Sequence, residues 1–223
     1  VKTATLERPK KQSHIILGFP GVRFDSPERY PLDVLEGVLA GQAGRLFVEL
    51  RDKRGLAYAL TAFAQANLDP GFIAVYLGTS PEHVDEAVAG IRQELQRLVE
   101  EPVGAEELEA ARRFVVGRYE RRHQTNAAQA ESLALMELYG LGYEDVAAYP
   151  AKILAVTVDD LQRVARKYLT LESYVLAVVK PPQAAEPPPA TSTGPQPAAT
   201  QATLEAEPPG PGAPAAHQRK AAP

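Results

Sequence analysis

The order of hydrophobic patterns along the chain constrains its fold more than any other feature. Four segments have the apolar runs or the alternation typical of strands, at 13–19, 58–65, 72–77 and 174–179. The turn-rich loop 67–71 joins the second and third segments and predicts a hairpin. Helical patterns fill the intervals, so the order is β-α-α-β-β, a run of helices, then β. This order predicts an α+β fold, a two-layer sandwich with helices on one face of a mainly antiparallel sheet.

The helical segments carry recognisable start signals. The clearest helix follows Ser80-Pro81, a capping residue before a first-turn proline, and its apolar stripe comprises Val84, Val88, Ile91, Leu95 and Leu98. Capping boxes are predicted at Asn126, with Gln129 as partner, and at Thr157, with Asp160 as partner. The other helices are expected at 26–41, 45–53, 106–122, 126–140, 143–154 and 157–168.

Composition divides the chain unevenly. The last 43 residues, 181–223, hold 12 of the 20 prolines and 12 alanines. Such a segment has too little apolar content to offset its ordering entropy, so we expect 182–223 to be a disordered Pro/Ala-rich tail. Residues 1–11 begin with Val rather than Met and lack an apolar targeting core, which predicts a linker from a missing upstream domain. One domain is therefore expected, over 12–181.

Charge and residue content exclude several classes of function. A net charge of −4 argues against nucleic acid and other polyphosphate partners. The absence of cysteine excludes thiolate zinc sites and cysteine nucleophiles, and it leaves the compartment open between cytoplasm and periplasm. No apolar run approaches the roughly 20 residues of a membrane span. We therefore expect a soluble protein.

The histidines do not form a local metal site. They stand at positions 14, 83, 123 and 217, too far apart for a zinc-binding pair on one helix. His83-Val84-Asp85-Glu86 begins like the inverted zinc motif H-x-x-E-H, but Ala87 occupies the fifth position. We therefore expect no metal in this chain.

A cluster of arginines lies in the 106–122 segment. Glu109 and Glu120 are interleaved with it at helical spacing, which predicts a solvated helix face rather than a phosphate site. The arginines concerned are Arg112, Arg113, Arg118, Arg121 and Arg122.

The segment 41–58, GQAGRLFVELRDKRGLAY, is the most informative. It resembles the second-domain signature of the insulinase/pitrilysin family of zinc metallopeptidases, which includes the mitochondrial processing peptidases and their bacterial relatives. The resemblance extends over roughly 12–181, and four more segments occur in the expected order: DPGF at 69–72, GTSPE at 78–82, EEL at 106–108 and TVDDL at 157–161. It implies the C-terminal, non-zinc domain of such a peptidase.

The resemblance implies a division of labour. In the family, the catalytic domain carries H-x-x-E-H and a downstream glutamate ligand, and two double-domain halves close around an unfolded peptide. This chain lacks the motif, so the resemblance implies that zinc is held by a partner domain or subunit, identical or different, and that the chain alone is inactive.

Arg51 and Tyr58 are the candidate catalytic residues. The resemblance implies that an arginine and a tyrosine seven residues apart reach across to the scissile carbonyl, and these two have that spacing. A guanidinium and a phenol are donors able to stabilise an oxyanion. Two alternatives remain open: Arg51 as a surface partner of Asp52 or Glu49, and Tyr58 as a half-buried sheet residue.

Three functions are compatible with the sequence. The leading prediction is the substrate-binding, transition-state-assisting domain of a zinc endopeptidase that acts on unfolded peptides. The alternative is a structural subunit or scaffold of a larger complex, because the family includes catalytically inactive members of that kind. The third is a peptide-binding module that uses the exposed edge of the sheet.

Overall fold

The computed structural model describes residues 1–41 and 43–182. These residues form one five-stranded sheet in the order β1-β5-β2-β4-β3. All neighbouring strands are antiparallel except β1, which runs parallel to β5. The strands are β1 Lys2–Glu7, β2 Ser13–Pro20, β3 Ala59–Gln65, β4 Phe72–Thr79 and β5 Val175–Lys180. The mainly antiparallel sheet is confirmed.

Helices cover one face of this sheet, which confirms the predicted α+β sandwich. The core lies between the layers, where residues such as Leu17 and Leu77 of the sheet and Leu35 and Ile91 of the helices are fully or almost fully buried. The helices are α1 Arg29–Leu39, a π-helix Phe47–Lys53, a 3-10 turn Pro81–His83, α2 Val84–Glu100, α3 Ala105–Arg122, α4 Asn126–Leu138, α5 Glu144–Leu154 and α6 Val158–Tyr168.

The opposite face of the sheet, here called the open face, is also apolar. Strand alternation and register place on it Ala4, Leu6, His14, Ile16, Gly18, Pro20, Ala59, Thr61, Phe63, Gln65, Phe72, Ala74, Tyr76, Gly78, Val175, Ala177, Val179 and the single charged residue Lys2. Ile16 is 43% exposed, Phe72 39% and Val175 52%. A solvated sheet face normally carries polar side chains, so this face has the composition of an interface.

Strand β1 differs from the expectation of a linker over 1–11. Its six residues are all exposed, so neither face of the strand is buried. The sequence therefore carries no pattern of buried positions that would indicate a strand. Backbone hydrogen bonds hold it at the sheet edge, where Lys2 N donates to Tyr174 O at 3.0 Å and the ladder to β5 continues through Glu7. The predicted disordered tail lies outside the described residues, apart from Pro182.

One of the two predicted capping boxes is confirmed. Thr157 Oγ1 accepts from Asp160 N at 3.1 Å, and Asp160 Oδ2 accepts from Thr157 N at 3.0 Å. The prediction at Asn126 is wrong, because Thr125 is the capping residue and its Oγ1 accepts from Ala128 N at 3.2 Å. Gln129 instead donates to the His123 carbonyl.

Within the described ranges, the structure contains no helix with the length and apolarity needed to cross a membrane.

Candidate functional site

Arg51 lies on the π-helix, and contacts with α2 fix the position of this helix. Leu50 is fully buried, and a Cβ built on Gly90 of α2 would lie 2.5 Å from Leu50 Cδ2. At the end of the π-helix, Arg54 Nη2 donates to Gln93 Oε1 at 2.7 Å. π-Helices are rare and often occur at functional sites. The segment predicted as an ordinary helix over 45–53 is therefore a wider turn, held in place by α2.

A glycine turn connects the π-helix to strand β3. Gly55 has φ +65°, a left-handed conformation that favours glycine. Leu56 N then donates to Leu50 O at 2.8 Å, and Tyr58 N donates to Gly78 O at 2.9 Å. Because the π-helix also contacts β3, Arg51 and Tyr58 lie on adjoining elements at one end of the sheet.

Arg51 is exposed and rests on an aromatic ring. Its Cζ lies 4.6 Å from the centroid of Phe47. In the part of the chain that the structure describes, its guanidinium makes no hydrogen bond or ion pair, and Glu49 pairs with Lys53 at 2.5 Å. Residues four apart share a helix face, whereas residues one or two apart do not. The structure therefore does not show the alternative in which Arg51 pairs with Glu49 or Asp52.

Tyr58 lies one residue before β3 and is 62% exposed. It is therefore more exposed than the half-buried sheet residue of the alternative. Its hydroxyl has no hydrogen-bond partner among residues 1–41 and 43–182, and its backbone is anchored to Gly78. Both candidate residues thus offer donors that the described chain does not use.

A buried polar cluster that the sequence analysis missed lies between α1, α3 and α5. Tyr149 donates from its hydroxyl to Asp33 Oδ2 at 2.6 Å. Burial raises the pKa of Asp33 to about 7, against the opposing effect of the Tyr149 hydrogen bond, and burial also raises the pKa of Tyr149. Asp33 and Tyr149 line a cleft of about 490 Å³. The sequence signal that indicates this cluster is the helical spacing of three charged residues on α1, Arg29, Asp33 and Glu36.

Two more acids complete this cluster. Glu36, only 6% exposed, accepts from Ala64 N at 3.1 Å and pairs with Arg118. Asp145 pairs with Arg29 and Lys152. Burial of Asp145 opposes ionisation, but the Lys152 hydrogen bond and the Arg29 charge hold its pKa below the usual range.

The expectation of a solvated arginine face on α3 is wrong for two residues. Arg118 pairs with the buried Glu36, and Arg112 donates to the Val156 carbonyl. Arg113 does follow the expectation, because it is exposed and pairs with Glu109 four residues earlier at 2.8 Å. Since each acid of the polar cluster already has a partner, the cluster joins helices rather than forming a second reactive site.

The described residues do not fit a zinc ion. Nowhere in 1–41 or 43–182 do three or more His, Asp or Glu side chains come together in a group that could hold a metal. The candidate site therefore consists of the hydrogen-bond donors of Arg51 and Tyr58, which are groups able to stabilise negative charge.

Solved structures share the fold. A peptidase M16 inactive domain from Pseudomonas fluorescens is similar with a TM-score of 0.74 and 22% identity, covering 83% of this chain and 45% of that chain. A protease from Helicobacter pylori is similar with a TM-score of 0.69 and 20% identity, covering 80% and 44%. At these identities the likeness supports the fold alone.

Curated relatives are closer in sequence. An uncharacterized zinc protease of Streptomyces coelicolor is 32% identical over 163 residues, which is 73% of this chain and 36% of the relative. An uncharacterized zinc protease of Bacillus subtilis is 26% identical over 178 residues, which is 79% of this chain and 43% of the relative. The chain thus spans less than half the length of these relatives.

The family model described as the peptidase M16 inactive domain matches residues 2–115, just over half of the chain. This match includes the segment 41–58 with Arg51 and Tyr58, on which the insulinase/pitrilysin resemblance was based, and it confirms that resemblance. The chain therefore belongs to the family of peptidase M16 inactive domains.

Proposed function

We propose that this domain binds an unfolded peptide and assists the transition state of a zinc-dependent endopeptidase whose zinc motif lies in another domain or subunit. The observation that carries the proposal is the exposure of Arg51 and Tyr58 and the lack of polar partners for their side chains in the described chain. Both are exposed, they lie on adjoining elements, and neither side chain has a polar partner in the described chain. Donors left unpaired in the domain are available to a substrate.

The chemistry follows from the donor types. When a peptide carbonyl is attacked, its oxygen becomes an oxyanion, and positioned N–H and O–H donors stabilise that charge more than they stabilise the ground state. The Arg51 guanidinium adds a full positive charge, and the Tyr58 hydroxyl adds a neutral donor. Zinc, held by the partner, would supply the Lewis acid and the activated water.

The open face supports a partner of this kind. It forms an apolar trough of about 660 Å³ with Gly18 and Ala74 on its floor, Phe63 and Phe72 on one side and Val175 on the other. We assign this face to the zinc-bearing half, because the chain covers less than half of relatives that are named zinc proteases. A surface of this composition favours burial against another protein.

Co-expression with the zinc-bearing half tests the proposal. The complex should cleave unstructured peptides, lose this activity to a chelator and regain it with zinc, while the chain alone should neither cleave them nor retain zinc after dialysis. A stable complex that holds zinc yet cleaves no unstructured peptide would contradict the proposal and favour the scaffold function. Stoichiometric zinc in the chain alone would contradict the assignment of the metal to a partner.

A further inference from the structure

We infer that Phe47 is a positioning residue for Arg51, whose guanidinium it holds ready for the substrate carbonyl. The inference rests on the proposed function, because it assigns Phe47 a part in the same site. Phe47 opens the π-helix and Arg51 follows four residues later, so the two side chains share one side of it.

The contact has the geometry of a cation–π interaction. The Arg51 Cζ lies 4.6 Å from the Phe47 ring centroid, inside the roughly 6 Å limit for such contacts. Lys53, two residues after Arg51, lies on the opposite side of the π-helix and pairs with Glu49. The two i,i+4 pairs are therefore separate, and Glu49 is paired with Lys53 rather than with Arg51.

An aromatic partner suits a donor that must stay available. A carboxylate beside Arg51 would accept hydrogen bonds from the edge of the guanidinium and use the donors that a substrate needs. A ring attracts the cation without accepting those bonds in the guanidinium plane. This agrees with a guanidinium that is held in place and yet has no polar partner within 1–41 and 43–182.

The hydrophobic core does not account for Phe47. Leu46 and Leu50 on either side of it are fully buried members of the core, whereas Phe47 is partly exposed and belongs neither to the core nor to the side chains packed against it. A leucine at position 47 would therefore preserve the fold. What it would remove is the ring under Arg51.

Contacts with α2 and α3 hold the backbone around Phe47 and Arg51 in place. Before the π-helix, Arg45 forms a bidentate pair with Glu107 of α3 at 2.6 and 2.8 Å. Within it, Leu50 packs on Gly90 of α2. Arg51 has a long side chain, and ordering such a side chain at binding costs conformational entropy. The Phe47 ring reduces this cost because it restricts the side chain beforehand.

Nuclear magnetic resonance of the chain by itself tests the contact without any activity. The ring current of Phe47 should shift the Arg51 side-chain protons upfield. The shift should vanish in Phe47→Leu and persist in Phe47→Trp. Random-coil shifts for Arg51 in the parent chain would overturn the inference, whatever the protein catalyses.

Kinetics of the complex with the zinc-bearing half test the role. Phe47→Leu should lower kcat/KM about two- to fivefold, the factor that corresponds to an exposed cation–π contact, with most of the change in kcat, and Phe47→Trp should restore it. In an Arg51→Ala background, Phe47→Leu should have no further effect. An equal loss in that background would show that Phe47 acts on the fold and would overturn the inference.

The same experiment separates this inference from the proposed function. If Arg51→Ala leaves kcat unchanged, the proposed function fails. If Arg51→Ala lowers kcat and Phe47→Leu does not, the positioning role alone fails.

Discussion

Gly90 of α2 lies so close to Leu50 of the π-helix that a methyl group on Gly90 would fall 2.5 Å from Leu50 Cδ2. Leu50 is fully buried, so a shift of its side chain would disturb the close packing around it. Because Arg51 follows Leu50 directly, this contact influences the position of the Arg51 backbone. A position on α2 therefore helps to set the geometry of the candidate site.

Gly90→Ala should destabilise the protein and displace the π-helix. Overpacking costs about 1–3 kcal/mol, which exceeds the ~0.5–1 kcal/mol that alanine gains over glycine in a helix. Gly117→Ala on α3 is the matched control, because the nearest atom to its Cβ is Arg121 Nη1 at 3.7 Å. Urea unfolding should show a loss for Gly90→Ala and a gain for Gly117→Ala. Equal gains in both variants would show that Leu50 yields without cost.

Arg51→Ala and Tyr58→Phe should lower turnover of the reconstituted enzyme more than they weaken peptide binding. Loss of one oxyanion donor typically costs about 10²- to 10³-fold in kcat. Because the interaction is made mainly in the transition state, KM should change little. Steady-state kinetics on one unstructured peptide would measure both constants.

The controls for this pair separate charge from shape. Tyr58→Phe keeps the ring and removes the hydroxyl alone, whereas Arg51→Lys keeps the charge and removes the planar donor set. Normal kcat in both Arg51→Ala and Tyr58→Phe, with the partner still bound, would mean that the pair has no catalytic part.

Ile16→Lys should disrupt association with the zinc-bearing half. Ile16 lies in the middle of the open face, and burial of an unpaired charge there is costly. The expected loss of affinity exceeds tenfold, with little change in thermal midpoint, because Ile16 is 43% exposed in the chain itself. Leu138→Lys on α4 is the control, since Leu138 is 75% exposed and lies outside this face.

Light scattering and titration calorimetry would measure these changes. Undiminished affinity in Ile16→Lys would remove the open face from the partner interface. Self-association of the parent chain that Ile16→Lys abolishes would instead assign the face to a second copy.

Asp33→Asn should flatten the dependence of stability on pH. The pKa of Asp33 is about 7 in the folded protein and 3.8 ordinarily, so between about pH 4 and 7 the folded state keeps a proton that the unfolded state has released. Stability conferred by the protonated form is therefore lost as pH rises through this window. Asparagine stays neutral and can still accept from Tyr149, so the variant should be more stable than the parent at pH 8, by roughly 1–3 kcal/mol.

Urea unfolding at pH 5 and pH 8 would measure the difference, with the exposed Asp52→Asn as control. The surroundings that act on Asp33 include Glu36, Arg118 and Arg29 as well as Tyr149. If the stability of the parent protein falls no more steeply from pH 5 to pH 8 than the stability of Asp33→Asn, the raised pKa of Asp33 is contradicted.

Local sequence signals predicted the elements well where a side chain interacts with a residue close to it in the chain. Thr157 and Asp160 are three residues apart and form the predicted capping box. The apolar run Ile15-Ile16-Leu17 predicted a buried strand at β2; Ile15 and Leu17 are buried, whereas Ile16 is 43% exposed. The prediction failed at α4, where Thr125 and Asn126 are both good capping residues and local preference cannot choose between them.

The sequence by itself determined the order of the elements from β2 onward, the helix-on-sheet layers and the spacing of Arg51 and Tyr58, because these depend on periodicity and on residues close in the chain. Only the tertiary structure decided the rest. Strand β1 depends on backbone pairing with β5, far away in the sequence. The raised pKa of Asp33 depends on desolvation beside Tyr149, 116 residues later. Pairing and desolvation arise when distant segments exclude water together, and no local pattern encodes them.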